Sequence, residues 1–146
     1  MEPSLGINNA SSVWEKIRPI TDQILSNASI REILSPLSNN LRDVFDCEAL
    51  TLYGLDLSKR QLYSFNFNGP GIKEIRVDIS PHSIAGFVAA FRRPIVVGDV
   101  YSQAELIKYH PKLEFDSSWD RKTHFKTRSM LAVPLPYNRH LIGILQ

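Results

Sequence analysis

Residues 49–56 read Ala-Leu-Thr-Leu-Tyr-Gly-Leu-Asp, and here the apolar period of the chain changes from 3.6 to 2. Upstream, Ile30, Ile33, Leu34, Leu37, Leu41, Val44 and Phe45 recur at i, i+3, i+4 and i+7, which predicts an amphipathic helix. Ser29 and Glu32 form a capping box at its entry. Pro36 either kinks this helix or opens a new one after Ser35. An earlier helical run starts at Ser12, with Val13, Ile17, Ile20, Ile24 and Leu25 close to one face and Pro19 as its kink or break. Residues 1–11 are small, polar and turn-prone, and are expected to form a flexible tail.

Downstream the alternation continues. Ser58-Lys59-Arg60 is a polar turn, Gln61–Asn68 a second strand, and Asn68-Gly69-Pro70-Gly71 a strong turn into a third strand carrying Ile72, Ile75, Val77 and Ile79. Short connections require antiparallel pairing. A helix rich in small residues is expected over Ser83–Phe91, ending before Pro94, and then a buried strand at Ile95–Val97. Ser102 and Glu105 make a second capping box, predicting a short helix to about Tyr109. Residues 110–128 show no sustained period and read as a long loop. Met130–Leu135 and His140–Gln146 form a final hairpin around Pro136-Tyr137-Asn138-Arg139. This order predicts an α+β fold, an antiparallel sheet covered on one face by helices.

The chain has 146 residues, enough for a single domain over 12–146. Seventeen basic against fifteen acidic residues leave +2, too small an excess for a nucleic-acid footprint. One cysteine, Cys47, excludes an intrachain disulfide and a cysteine-rich zinc site, and makes a reducing compartment the default. No apolar stretch is long enough to span a bilayer, and no secretory or lipidation signal is seen, so a cytoplasmic protein is expected.

Catalytic signals are poor. No nucleophile elbow, zinc-protease or phosphate-loop motif occurs. His110, Asp116 and His124 could form a metal site, but such groups on a loop are usually just solvated, and no metal is expected. Cys47 reads as a buried inert thiol. The densest segment is Phe115–Ser129, FDSSWDRKTHFKTRS, which carries carboxylates, bases, hydroxyls and aromatics together. Such a segment either closes over a ligand or is a connection pinned to the core by Phe115, Trp119 and Phe125. The start of the Ser83–Phe91 helix, with Ser80 and Ser83, either binds an anion or carbonyl or simply packs tightly.

Several motifs coincide: the helix leading into ALTLYGLD, then HSIAGFVAAFRRPIVVGDV, then DRKTHFKTRSMLAVPL, then HLIGILQ. In this combination the sequence resembles a GAF domain. The stretch from Asp99, DVYSQAELIKYHPKLEFDSSWD, is similar to GAF domains ahead of bacterial type II secretion or type IV pilus-assembly ATPases. The resemblance implies a six-stranded antiparallel sheet flanked by helices, with a small-molecule pocket on one face. It also implies a C-terminal helix that is missing after Gln146, so the chain reads as truncated from a longer protein. By position, Ile84 and Ala85 match pocket-lining helix residues. Tyr101, Asp116, Asp120, Thr123 and Thr127 match a lid, and Phe67 and Asn68 a strand edge facing a base; Phe115 and Phe125 add apolar contacts.

The implied function is a regulatory sensor for a small molecule, such as a cyclic nucleotide or another metabolite, acting on a downstream domain of the same chain. No cofactor is certain. The domain itself is expected not to be an enzyme: family sulfoxide reductases need several cysteines, and Cys47 lies away from a bilin-attachment position. The alternative is an interaction module that dimerises through its terminal helices, warranted by the apolar stripe from Ile17 to Phe45.

Overall fold

A computed structural model describes residues 15–19, 40–64 and 74–146. The chain divides into two compact units, 1–50 and 51–146. In the first, residues 15–19 and 40–45 are helical. The second of these helical stretches is closed by Asp46, at φ 50°, with the Cys47 amide donating to the Arg42 carbonyl at 3.1 Å. That six-to-one bond over a left-handed residue is the Schellman closure. Cys47 is half-buried, and burial pushes its thiol pKa up against the pull of Arg42. The Ser29 capping box, Pro36, the tail and the Asn68–Gly71 turn lie outside the described residues.

The second unit holds six strands: β1 (Leu52–Asp56), β2 (Gln61–Ser64), β3 (Arg76–Asp78), β4 (Ile95–Val97), β5 (Met130–Tyr137) and β6 (His140–Leu145). They form one antiparallel sheet in the order β3-β2-β1-β6-β5-β4. The fold is α+β, as the change of period predicts. The turn between β1 and β2 is organised by Asp56, which accepts from the Ser58 hydroxyl at 2.7 Å, the Lys59 amide at 3.2 Å and the Arg76 guanidinium at 2.9 Å. These partners, Ser58 first, hold its carboxyl at a pKa of about 2.

The last hairpin differs from the expected one. Its turn has two residues, Asn138 and Arg139, both with positive φ (47° and 67°). This is the backbone that matches the right-handed twist of paired strands. Pro136 and Tyr137 therefore belong to β5, and a register shift falls between Leu135 and Pro136, beside a residue that has no N–H to donate.

Helix α1 (Ile84–Phe91) crosses one face of the sheet, against β2, β3, β5 and β6. Phe87 and Val88 of this helix and Leu62, Ile95, Val97, Val100, Leu106, Leu113, Ala132 and Ile144 around it form the fully buried core. Gly86 sets the distance of approach. A Cβ there would stand 2.4 Å from the Asp78 carbonyl and 2.6 Å from the Ser80 carbonyl, both backbone atoms that have little room to move. Gly86→Ala is expected to cost about 3 kcal/mol, the upper range for an overpacked core. Denaturant unfolding checks it, and a midpoint equal to the parent's would contradict this placement of α1.

Candidate functional site

Two loops and a short helix meet beyond the ends of β4 and β5. The first loop follows β4 and runs through Gly98, Asp99 and Tyr101 into α2 (Gln103–Leu106). The expected capping box is not formed here, since Ser102 makes no side-chain cap bond. Glu105 instead reaches back to the Gly98 amide at 2.8 Å and the Asp99 amide at 3.4 Å. The carboxylate thus orders the loop rather than the helix end, and α2 stops at Leu106, short of Tyr109. Asp99 accepts from the Tyr101 amide at 2.9 Å, which turns the tyrosine back over the loop.

Residues 110–128 are not one long loop. A third helix, α3 (Ser118–Thr123), is set within them. Asp116 accepts the otherwise unpaired Ser118 amide at 2.9 Å, satisfying a donor at the helix start. Ser118 is the largest influence holding the Asp116 carboxyl below its ordinary pKa. The single turn and a half of helix gives no sustained apolar period, so pattern reading could not find it. The helix ends at His124 in the left-handed region, φ 54°.

The centre of the arrangement is Asp120. One oxygen, Oδ2, accepts the Tyr101 hydroxyl at 2.7 Å and the Thr127 amide at 2.8 Å, while Oδ1 accepts the Thr127 hydroxyl at 2.7 Å. One carboxylate therefore ties α3 to the loop after β4 and to the segment entering β5. Partial burial works against its charge, but the bonds from Thr127 and Tyr101 outweigh it, and its pKa lies below the ordinary value. The same bond raises the Tyr101 phenol above its ordinary value. The two loops are also joined directly, the Val100 amide donating to the Arg128 carbonyl at 2.8 Å. Phe115 supports Tyr101 edge-on, with ring centroids 5.3 Å apart, and Lys126 places its ammonium 5.7 Å from the Tyr101 centroid.

Beside this clasp lies an open depression of about 480 Å³, lined by Gly98, Asp99, Tyr101, Lys126, Thr127 and Arg128. Its lining includes two cations, Lys126 and Arg128, and one carboxylate, Asp99. Of the residues expected to form a site, Tyr101 and Thr127 line it, and Asp120 and Phe115 stand behind them. Ile84 and Ala85 do not: they are 4% and 3% exposed and belong to the core under α1. The start of α1 is self-satisfied, since Ser83 accepts the Gly86 amide at 3.1 Å. Thr123 donates to the Trp119 carbonyl at 2.8 Å within α3, and Phe125 is half-buried. Both carboxylates expected to meet a ligand, Asp116 and Asp120, are instead engaged by the chain itself. Phe67 and Asn68 lie outside the described residues. Pattern reading missed Gly98, Asp99, Lys126 and Arg128, although the last two sit in the segment marked by its mixed charge. No group of three metal-ligating side chains occurs among the described residues. Nor is any described helix long and apolar enough to cross a membrane.

A sequence model of the GAF domain matches residues 29–146. The chain belongs to the GAF domain family. Its similarity to the probable 3′,5′-cyclic phosphodiesterase pde-5 of Caenorhabditis elegans is 25% identity over 130 residues, covering 81% of this chain and 16% of that protein. The chain thus spans about a sixth of that relative's length. Among solved structures, the GAF domain of a Coxiella burnetii phosphoenolpyruvate-protein phosphotransferase superposes with a TM-score of 0.69 at 18% identity, over 94% of this chain and 77% of that one. The free methionine-R-sulfoxide reductase of Neisseria meningitidis superposes at 0.66 and 21% identity, over 99% and 77%. These likenesses share the fold of the GAF domain.

The clasp carries its own pH dependence. Asp120 has a lowered pKa in the folded chain, so its contribution is present above the unfolded value of about 3.9 and is lost as pH falls through the folded one. Tyr101 has a raised pKa, so its contribution is present below about 10 and is lost as pH rises through the folded value. The Thr127 amide resonance is therefore expected to stay constant across neutral pH and to move at the acid limb, and Asp120→Asn should abolish that acid movement. A transition near pH 6 would contradict the assignment. Replacing Asp120 by Ala leaves three donors without their acceptor, and amide exchange over 118–127 should quicken by roughly tenfold, equivalent to one net hydrogen bond.

Proposed function

We propose that this GAF domain is a regulatory module that binds a small anionic molecule in the depression between Tyr101 and Arg128. The observation that carries the reading is that Lys126 and Arg128 both line the recess, with Asp99 as its one carboxylate, beside a wall held by Asp120. Cations that converge on a concave surface favour an anion, while Thr127 and the loop backbone offer directional bonds. A cyclic nucleotide is the first member of this class to test, because it joins one phosphate charge to a flat base and because the C. elegans relative is a probable 3′,5′-cyclic phosphodiesterase.

Regulation would follow from the clasp. A ligand that bonds Thr127 or Tyr101 competes with Asp120 or tightens its grip, and either result changes the order of α3. A ligand shifts such an equilibrium only by its differential affinity for the two arrangements. The change would then pass to a downstream domain of a longer protein, and the domain alone catalyses nothing in this reading. The secretion or pilus-assembly parent draws no support from the phosphotransferase, phosphodiesterase and reductase relatives.

A second reading, an interaction module without a ligand, is favoured by Val96 and Leu131. These are cross-strand partners on the sheet face opposite the core, 67% and 51% exposed. Homodimerisation through the terminal helices belongs to this reading.

Thermal unfolding against a panel of nucleotides and phosphorylated metabolites separates the two. A ligand at 100 times its Kd stabilises by about 2.7 kcal/mol. That is a shift of several degrees for a chain of this size, and Lys126→Ala with Arg128→Ala should remove it. A shift that survives both substitutions would refute the location, and no shift across the panel would favour the interaction module.

A further inference from the structure

One surface of the second unit carries charge that its neighbours leave unanswered. Residues 91–94 and 107–112, Phe-Arg-Arg-Pro and Ile-Lys-Tyr-His-Pro-Lys, hold four cations and no carboxylate, against a net charge of +2 for the whole chain. The fold sets the two stretches side by side. The Phe91 and His110 rings lie 5.6 Å apart, and both approach Phe87, at 4.7 and 6.4 Å. Arg92, Arg93, Lys108 and Lys112 are exposed, and no ion pair involves them among the described residues. The nearest carboxylates in sequence do not serve them. Glu105 is bonded to the Gly98 and Asp99 amides. Glu114 lies beside His82, at the opposite end of α1, its amide donating to the His82 carbonyl at 3.1 Å. Two apolar side chains stand out among the cations, Phe91 at 46% exposed and Ile107 at 50%. The ground behind them is firm. Tyr109 also packs edge-on against Phe87, at 6.2 Å, and His110 Nδ1 accepts the Lys112 amide at 3.1 Å, which fixes the turn carrying that lysine.

The adjoining sheet edge narrows the kind of partner that fits. Strand β4 is the last of the sheet, and both backbone groups of Val96 are taken by one side chain. The Tyr109 hydroxyl accepts the Val96 amide at 3.1 Å and donates to the Val96 carbonyl at 2.7 Å. An extended acidic peptide docks on such an edge by adding a strand, and here the bonds it needs are already made. A lipid surface needs no backbone partner. Its negative potential draws cations, and its headgroup layer takes in protruding apolar side chains without a matching pocket. We infer that the Phe91–Lys112 surface seats the domain on a membrane containing anionic lipid. Arg92, Arg93, Lys108 and Lys112 meet the headgroups, and Phe91 and Ile107 enter the interface between them. The contact is peripheral, and charge and apolar insertion act together, since neither alone holds a protein stably at a bilayer. It uses neither the ligand recess nor any residue of the first unit, so it stands independently of the function proposed above.

Co-sedimentation of the chain with vesicles tests it. Binding to mixed phosphatidylserine–phosphatidylcholine vesicles should exceed binding to pure phosphatidylcholine by about tenfold or more. It should weaken between about 0.05 M and about 0.5 M salt, where the screening length falls to a few ångströms. Arg93→Ala with Lys112→Ala should weaken it about 25-fold, at about fivefold for each charge. Phe91→Gln and Ile107→Gln should each weaken it several-fold at every salt concentration, with circular dichroism equal to the parent's. Ile107 is no part of the buried core, so its variant reads the apolar contact even where Phe91→Gln disturbs α1. Equal binding to both vesicles, or binding to neither, overturns the inference. So does binding that the Arg93/Lys112 variant or Ile107→Gln leaves unchanged. Binding lost instead on Lys126→Ala with Arg128→Ala would move the contact to the recess and overturn it as well. Capture of the chain by soluble polyglutamate in preference to vesicles, abolished in the Arg93/Lys112 variant, would assign the surface to an acidic protein and equally overturn it.

Discussion

The site rests on the hydration balance of one carboxylate. Asp120 is only partly buried, and its charge is retained because three donors from two other segments replace the water it gives up. Removing any of them leaves either an unsatisfied carboxylate or an unsatisfied donor, so the segments are held as a set. None of the three segments has enough regular structure to position itself. Helix α3 has six residues and no buried side chain, and α2 has four. Their order comes from carboxylates placed across the loops: Glu105 on Gly98 and Asp99, Asp99 on Tyr101, Asp116 on Ser118, and Asp120 on the rest.

This explains the division of labour within the domain. The apolar core under α1 is rigid and closely packed, and Gly86 brings the helix to within direct contact of backbone carbonyls. The polar region beyond β4 and β5 depends on hydrogen bonds near the surface, which contribute less and respond to solution conditions. A regulatory element is drawn from such a region because only a weakly held arrangement can be shifted by the few kcal/mol that a small ligand supplies. Lys126 and Arg128, free of ion pairs among the described residues, leave the recess with charge to satisfy.

The sheet was legible because its signals are local. Alternation in Leu52–Asp56 and Gln61–Ser64, the short apolar run Ile95–Val97, and small residues in Ile84–Phe91 each follow from burial on one face or two. The site was legible only in part. Tyr101, Asp120 and Thr127 come together through the Asp120 carboxylate, and nothing in their spacing states that Asp120 bonds the other two. The three-residue spacing of Ser102 and Glu105 is the capping signature and pairs the two in sequence. The structure gives Glu105 instead to amides seven and six residues upstream, a tertiary choice that no local pattern encodes. Helix α3 escaped notice because it buries no side chain, so no apolar period exists to find. Ile84 and Ala85 show the converse: small and apolar residues at a helix start suit a pocket wall and a core equally well, and here they belong to the core.

The recess beside the Asp120 clasp is the proposed place of action of a small anion. Backbone amide chemical-shift mapping during titration with a cyclic nucleotide tests it directly. The largest changes should fall on Gly98, Asp99, Tyr101 and Lys126–Arg128, with α3 following as the clasp adjusts. Changes confined to other parts of the chain, with these amides unmoved at saturation, would contradict it.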